Sequence, residues 1–180
     1  MFGKRGTAVT LGSLVFTVSS LVGAPASQAA SGGHEAGVVT CTGDAVSRYD
    51  PPLTLQPRKT HNRADVRYVC STASGHTAPA AGSFHAVAPS ASCVSLSGAR
   101  GTETVQYADG GRSLIVIDGA TTARVAGVLV VLQSGRVVEG RGAGHLVRRT
   151  VTSLPGQLPT DCLTDGLRGT ESAVRLEILP

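Results

Sequence analysis

Apolar and polar residues alternate with a period of two along much of the chain. Val66, Tyr68 and Cys70 interleave with Asp65, Arg67 and Val69, and Val174, Leu176 and Ile178 interleave with Arg175 and Glu177. Successive side chains of a strand point to opposite faces, so such runs read as strands with one buried face. Val105 and Tyr107 alternate in the same way before Asp109-Gly110-Gly111, and Ser113 to Ile117 resumes the apolar pattern. Two strands joined at Asp-Gly are the signature of a hairpin. Val128 to Leu132 is continuously apolar, as in a strand covered on both faces, and Ser134-Gly135 predicts a second turn leading into Val137-Val138. Gly140, Gly142 and Gly144 then alternate, predicting a bulge or sharp bend before a strand from His145 to about Thr152.

No stretch beyond the first thirty residues keeps the three-and-four spacing of a helix for a dozen residues, so only a helical turn near Leu163 to Leu167 is expected. Ser71 to Ser83 lacks periodicity and reads as the longest loop. Pro51-Pro52 and Pro57 frame Leu53-Thr54-Leu55 as an edge strand or extended crossover, since proline cannot donate to a ladder. Eight or nine short strands separated by turns about every ten residues predict an all-β, antiparallel β-sandwich, immunoglobulin-like. The expected core holds Val66, Tyr68, Val105, Leu114, Val116, Val128, Val130, Leu176 and Ile178.

The first thirty residues follow a different pattern. Lys4 and Arg5 precede an apolar stretch from about Ala8 to Gly23, and Ser27-Gln28-Ala29 offers a small-x-small cleavage step. These are the marks of an export signal. Residues 1-29 are accordingly expected to be a signal peptide, 30-36 a flexible N-terminal segment, and 37-180 a single domain of a secreted, extracellular protein. An oxidising compartment lets the four cysteines Cys41, Cys70, Cys93 and Cys162 form two disulfides. Three connectivities are open. Cys41 with Cys70 and Cys93 with Cys162 is favoured, because the first would staple the opening strand to the next and the second would tie the final segment onto the middle of the domain.

Charge and aromatic content narrow the function. Loss of Lys4 and Arg5 lowers the formal charge from +4 to +2, which is nearly neutral. The remaining basic residues are scattered among acids and glycines rather than gathered in a stripe, so no nucleic-acid partner is expected. Tyr49, Tyr68, Phe84 and Tyr107 are the aromatics beyond the signal segment, and the chain has no tryptophan. The core must be aliphatic, and a sugar-binding platform lacks its usual aromatic faces.

Candidate chemistry is sparse. His34, His61, His76, His85 and His145 have no metal-site spacing, and the cysteines never occur as C-x-x-C, so no metal and no cofactor are expected. The chain lacks G-x-S-x-G, and its carboxylates sit mostly beside turns or on outward strand positions. The reading is therefore a monomeric, non-catalytic module without a membrane span after cleavage, binding a protein or cell-surface partner through loops. The candidate binding residues are Arg58, Lys59, His61 and Arg63 in one polar segment and His76 in the Ser71 to Ser83 loop. A secreted protease inhibitor is the alternative, and a hydrolase a further one.

Several segments together carry a resemblance: Cys41-Thr42-Gly43, Tyr49 to Leu55, Ser92-Cys93, the Tyr107 to Ser113 hairpin, Val125 to Val130 with Gly135-Arg136-Val137, and Cys162-Leu163-Thr164. The chain resembles a group of small exported proteins of unknown function from high-GC Gram-positive bacteria. That resemblance implies a β-sandwich with two disulfides and no activity. Val66 to Cys70, Ser74 to Pro79 and Cys93 are also similar to the bacterial subtilisin inhibitors. In this chain Tyr49-Asp50-Pro51 precedes the similar stretch instead of following it, so no scissile bond is carried over.

Overall fold

The computed structural model describes residues 39–71, 75–126, 128–153 and 160–180. The expected signal peptide, the segment 30-36 and His34 lie outside the described residues. Nine strands follow in order: β1 (Val39–Leu53), β2 (Arg58–Ser71), β3 (Thr77–Ala91), β4 (Leu96–Ser97), β5 (Arg100–Tyr107), β6 (Arg112–Val125), β7 (Val128–Gly140), β8 (Leu146–Ser153) and β9 (Leu167–Leu179). A short 3-10 turn, Thr160–Leu163, precedes β9.

The strands close on themselves. Apart from the two-residue β4, which pairs only with β3, each strand is antiparallel to the next in sequence, and β9 returns to pair with β1. The result is an eight-stranded up-and-down barrel with one extra strand. This corrects the expected immunoglobulin-like sandwich. A sandwich needs two sheets with free edges and a chain that crosses between them, whereas here every long strand has a neighbour on both sides. Period-two alternation is common to both architectures, because each buries one face of every strand.

Strand length is what separates them, and local punctuation hid it. β1, β2, β3, β6, β7 and β9 span 13 to 15 residues each, against five or six for an average strand. The supposed turn at Ser134-Gly135 lies inside β7. Glycine is needed there for close packing, since a Cβ on Gly135 would sit 2.0 Å from the carbonyl oxygen of Val116. Pro51 and Pro52 belong to β1, beyond the register shift after Arg48. Most of the Ser71 to Ser83 segment is also regular, because β3 begins at Thr77; residues 72–74 lie outside the described residues.

The Asp109 hairpin is present between β5 and β6. Gly140, Gly142 and Gly144 all take positive φ values and shape the turn from β7 to β8, rather than a strand changing sheets. Within β6, Ile115 and Ile117 are buried while Leu114 and Val116 are half-buried, the reverse of the expected pattern. A continuous apolar run does not say which parity faces inward.

The aliphatic core fills the end of the barrel where β1 begins, hereafter the far end, with Val105, Ile115, Val137, Leu176 and Ile178 among its members. Cys41–Cys70 bridges paired positions of β1 and β2 there. A smaller cluster of Leu53, Ala88, Ala91, Ala99, Cys93 and Cys162 marks the opposite end, the mouth. Cys93–Cys162 ties the β3–β5 connection to the 3-10 turn before β9. The pairing is the favoured one. Loop closure alone assigns about 3.6 kcal/mol to the first bridge and about 4.4 to the second, for sequence separations of 29 and 69. Two disulfides are consistent with an oxidising environment.

Candidate binding cavity at the barrel mouth

The barrel interior changes character halfway along its axis. β5 places Glu103 on the same face as Val105 and Tyr107, and β8 places Arg149 on the same face as Val147 and Val151, so both ionisable side chains point inward. They are buried, and Arg149 Nε lies 2.9 Å from Glu103 Oε2. Attraction between opposite charges holds this contact. Tyr68 Oη, from β2, donates to Glu103 Oε1 at 2.8 Å, and Arg149 NH1 donates to Gln133 Oε1, from β7, at 2.6 Å. The Arg149 guanidinium also lies over the Phe84 ring of β3, 4.4 Å from its centroid.

Five strands thus meet in one polar centre. Gly82, inward-facing on β3, leaves it space: a Cβ there would approach both Glu103 Oε1 and a Tyr68 ring carbon at 2.8 Å. Burial opposes the Arg149 charge, but Glu103 and then Tyr68 more than offset it, leaving the guanidinium pKa raised and the side chain cationic. Burial, reinforced by the Glu103 charge, pushes the Tyr68 hydroxyl well above the usual tyrosine range. The centre carries a matched plus and minus and contributes no net charge.

Above this floor, toward the mouth, a cavity of about 100 Å³ opens inside the barrel. Its polar lining includes Ser47 and Tyr49 from β1, Thr60 and Asn62 from β2, and Gln133 and Arg149 at the floor. The rest of the wall is mainly apolar, with Leu53, Ala88, Ala91, Leu96, Leu129 and Val131, and Ser92 and Ser95 also line it. Tyr49 Oη pairs with Thr170 Oγ1 at 2.9 Å, and burial raises its pKa against the opposing bonds from Thr170 and Ser47. Thr60 is only 2% exposed, yet its Oγ1 has no hydrogen-bond partner, and neither does the buried Oδ1 of Asn62. A buried polar atom without a partner costs about 1–3 kcal/mol, so these two are the atoms in the wall most in need of one.

The residues proposed from sequence are separated. His61 and Arg63 are outward positions of β2, not loop residues, and they line a shallow hollow on the outer wall with His85 and Arg100. Arg58 and Lys59 begin β2 at the mouth, where Arg58 donates to the Pro52 carbonyl. His76 is exposed in the β2–β3 connection at the far end, apart from the other four. Ser83 Oγ lies 3.3 Å from His85 Nε2 on the exposed face of β3, and no carboxylate hydrogen-bonds to that ring among the described residues. No group of three His, Cys, Asp or Glu suited to a metal occurs among the described residues, nor does any helix long and apolar enough to cross a membrane.

The sequence reading missed the cavity residues although a signal was present. Thr60 and Asn62 share the parity of Ala64 and Val66, and Glu103 and Arg149 share that of the apolar residues around them. A polar residue at a core parity position is a buried polar candidate. No protein-family model, curated protein or solved structure matches the chain.

Proposed function

We propose that this is an exported, non-catalytic binding module whose ligand enters the mouth of the barrel: a small, mainly apolar molecule with an uncharged hydrogen-bonding head. The observation that carries this reading is the unpartnered Thr60 hydroxyl, buried in the wall of a mainly apolar cavity that holds a few polar groups. An eight-stranded barrel is just wide enough to be filled by side chains or to hold one small ligand. The small residues Ala45, Ser47, Ala88 and Ala91 leave the mouth end unfilled. An uncharged head suits the site because Arg149 is already neutralised by Glu103, and a further charge would be buried without a counterion. The outward Arg58, Lys59, His61 and Arg63 are then surface groups around the site rather than the site itself.

The protease-inhibitor reading draws less support. The disulfide-tied Cys93 connection is folded back on the body, with Ser92 Oγ accepting from the Val94 and Ser95 amides and the Ser92 side chain buried.

Titration of isotopically labelled protein with phenol, butanol and butyramide, and with butyrate and butylammonium, tests the proposal by amide chemical shifts. The neutral compounds are expected to move the signals of Thr60, Asn62 and Gln133, and the charged ones to leave them in place. Thr60→Val should weaken binding about five- to tenfold, the value of one hydrogen bond of about 1 kcal/mol or slightly more. Ala88→Phe should fill the space and abolish it. No binding by any compound, or binding that survives Ala88→Phe, would refute the cavity as the site.

A further inference from the structure

The four connections at the mouth each expose an aliphatic side chain. Leu55 lies between β1 and β2, Val94 between β3 and β4, Val125 at the end of β6 and Leu163 in the 3-10 turn, with exposures of 50%, 48%, 61% and 72%. The far-end connections are built otherwise. Their described residues are Gly75, His76, Ala108 to Gly111 and Arg141 to His145, with no large aliphatic among them. Beside them two strand residues are exposed, Val69 of β2 and Leu146 at the start of β8, as Val125 is at the end of β6, so the far end carries fewer exposed aliphatics than the mouth and none in its turns. Water strips nothing from such a rim unless another apolar phase covers it.

The arginines at the far-end turns, Arg112 and Arg141, are paired, while Arg63, Arg67, Arg136 and Arg148 on the outer wall are not paired among the described residues. The ion pairs among the described residues use Arg48, Arg112, Arg141, Arg149 and Arg175. The exposed cations near strand ends at the mouth are Arg58, Lys59, Arg124 and Arg168, and none of them takes part in such a pair. The acids near that rim are Asp161 and Asp165, with Asp50 of β1 opposite the start of β9. Exposed aliphatic tips ringed by surplus cations match an anionic lipid surface in both of its layers, since the tips reach the acyl boundary while the cations remain at the headgroups.

We infer that the mouth end docks on an anionic lipid surface. The inference stands on the rim and does not need the cavity to be occupied. Residues 39–180 contain every strand of the barrel, so the disulfide-bonded chain from residue 30 is the form to test. Co-sedimentation at low salt should show binding to vesicles of phosphatidylglycerol with phosphatidylcholine and much weaker binding to phosphatidylcholine alone. Arg124→Gln and Arg168→Gln should each weaken binding about fivefold, and the steep salt dependence should flatten. Val125→Asp with Leu163→Asp should abolish it.

Val138→Asp, on the outer wall of β7, and Thr60→Val, inside the cavity, should bind vesicles as the wild type does; circular dichroism verifies that each variant is folded. Binding that is equal on the two vesicles, absent on both, or unchanged in the rim variants would overturn the inference. So would a concentration-dependent dimer lost in Leu163→Asp without vesicle binding, which would assign the rim to a second copy of the chain. Because no cavity ligand is added, failure here is distinct from failure of the proposed ligand site.

Discussion

At the far end of the barrel, Asp109 holds the β5–β6 turn by accepting from the Gly111 amide and the Arg141 guanidinium, and Arg112 pairs with Glu139 across β6 and β7. Arg141 also lies over the Tyr107 ring, 4.2 Å from its centroid. The space behind these turns is filled by aliphatic side chains. At the mouth, small residues stand where large ones would fill the interior, buried polar atoms lack partners, and the surrounding cations are unpaired among the described residues. The far end satisfies most of its groups internally, His145 Nδ1 being left without a partner, whereas the mouth leaves more of them open. Strand pairing and disulfide bonding serve both ends, so the difference lies in which side chains occupy the inward positions. Binding sites tend to fall where a scaffold forgoes local stability, which is why the mouth carries the functional proposals.

The two disulfides test that division most severely. Replacing Cys93 and Cys162 by serine should cost about 4.4 kcal/mol and replacing Cys41 and Cys70 about 3.6, on loop-closure entropy. The more telling outcome is qualitative. The first change releases the mouth connections and should abolish binding of small neutral ligands even below the melting transition, whereas the second should lower stability and leave affinity unchanged at temperatures where the barrel is folded. Chemical denaturation of each pair variant, with ligand titration in the folded range, checks both outcomes. Equal loss of affinity in the two would remove the distinction between the ends.

Next in size is the ion pair at the boundary. Arg149→Met leaves Glu103 buried without its counterion and should cost about 4 kcal/mol, within the 3–5 found when one partner of such a pair is removed. The double change Arg149→Met with Glu103→Gln should recover much of that loss, because no unpaired charge remains. A double variant no more stable than the single one in urea denaturation would show that Arg149 acts through its packing on Phe84 instead. The double variant should also widen ligand choice, since the polar floor beneath the cavity would be gone.

How much of this could be read from the sequence follows from what alternation encodes. The parity of Val66, Tyr68 and Cys70, or of Val174, Leu176 and Ile178, identified strands and their buried faces, and all six residues are buried. The same parity at Thr60 and Asn62 was lost because Lys59 to Arg63 looked like a solvated loop when read by composition alone. Closure itself was not legible. It rests on the pairing of β9 with β1, positions such as Cys41 and Leu176 that lie far apart in sequence, and no local pattern states which distant strands meet. Glu103 and Arg149 form an interior ion pair for the same reason: each alone reads as a surface charge, and only the closed ring brings them to 2.9 Å.

The smallest expected effect belongs to the far end and concerns pH. Hydrogen bonds from the Arg141 side chain and then the Gly111 amide hold the Asp109 carboxyl below the usual carboxylate range. A pKa lower in the folded chain than in the unfolded one means that the folded state favours the ionised form. The stability so gained is present above the unfolded value, about 3.9, and is lost as pH falls through the lower folded value. Asp109 is exposed, and exposed pairs are weak and screened by salt, so the effect should be a small fall in melting temperature. Asp109→Asn removes this increment. The difference in melting temperature between wild type and variant should therefore be positive at neutral pH, shrink below about pH 4 and nearly vanish once the wild-type carboxyl is protonated. Raising the salt concentration at neutral pH should also reduce it. Ligand affinity at the mouth should be the same in both proteins at every pH where both are folded. A variant that lost affinity along with its turn would show that the far end communicates with the mouth through the Tyr107 and Val105 face of β5, and the two ends would then be one cooperative unit.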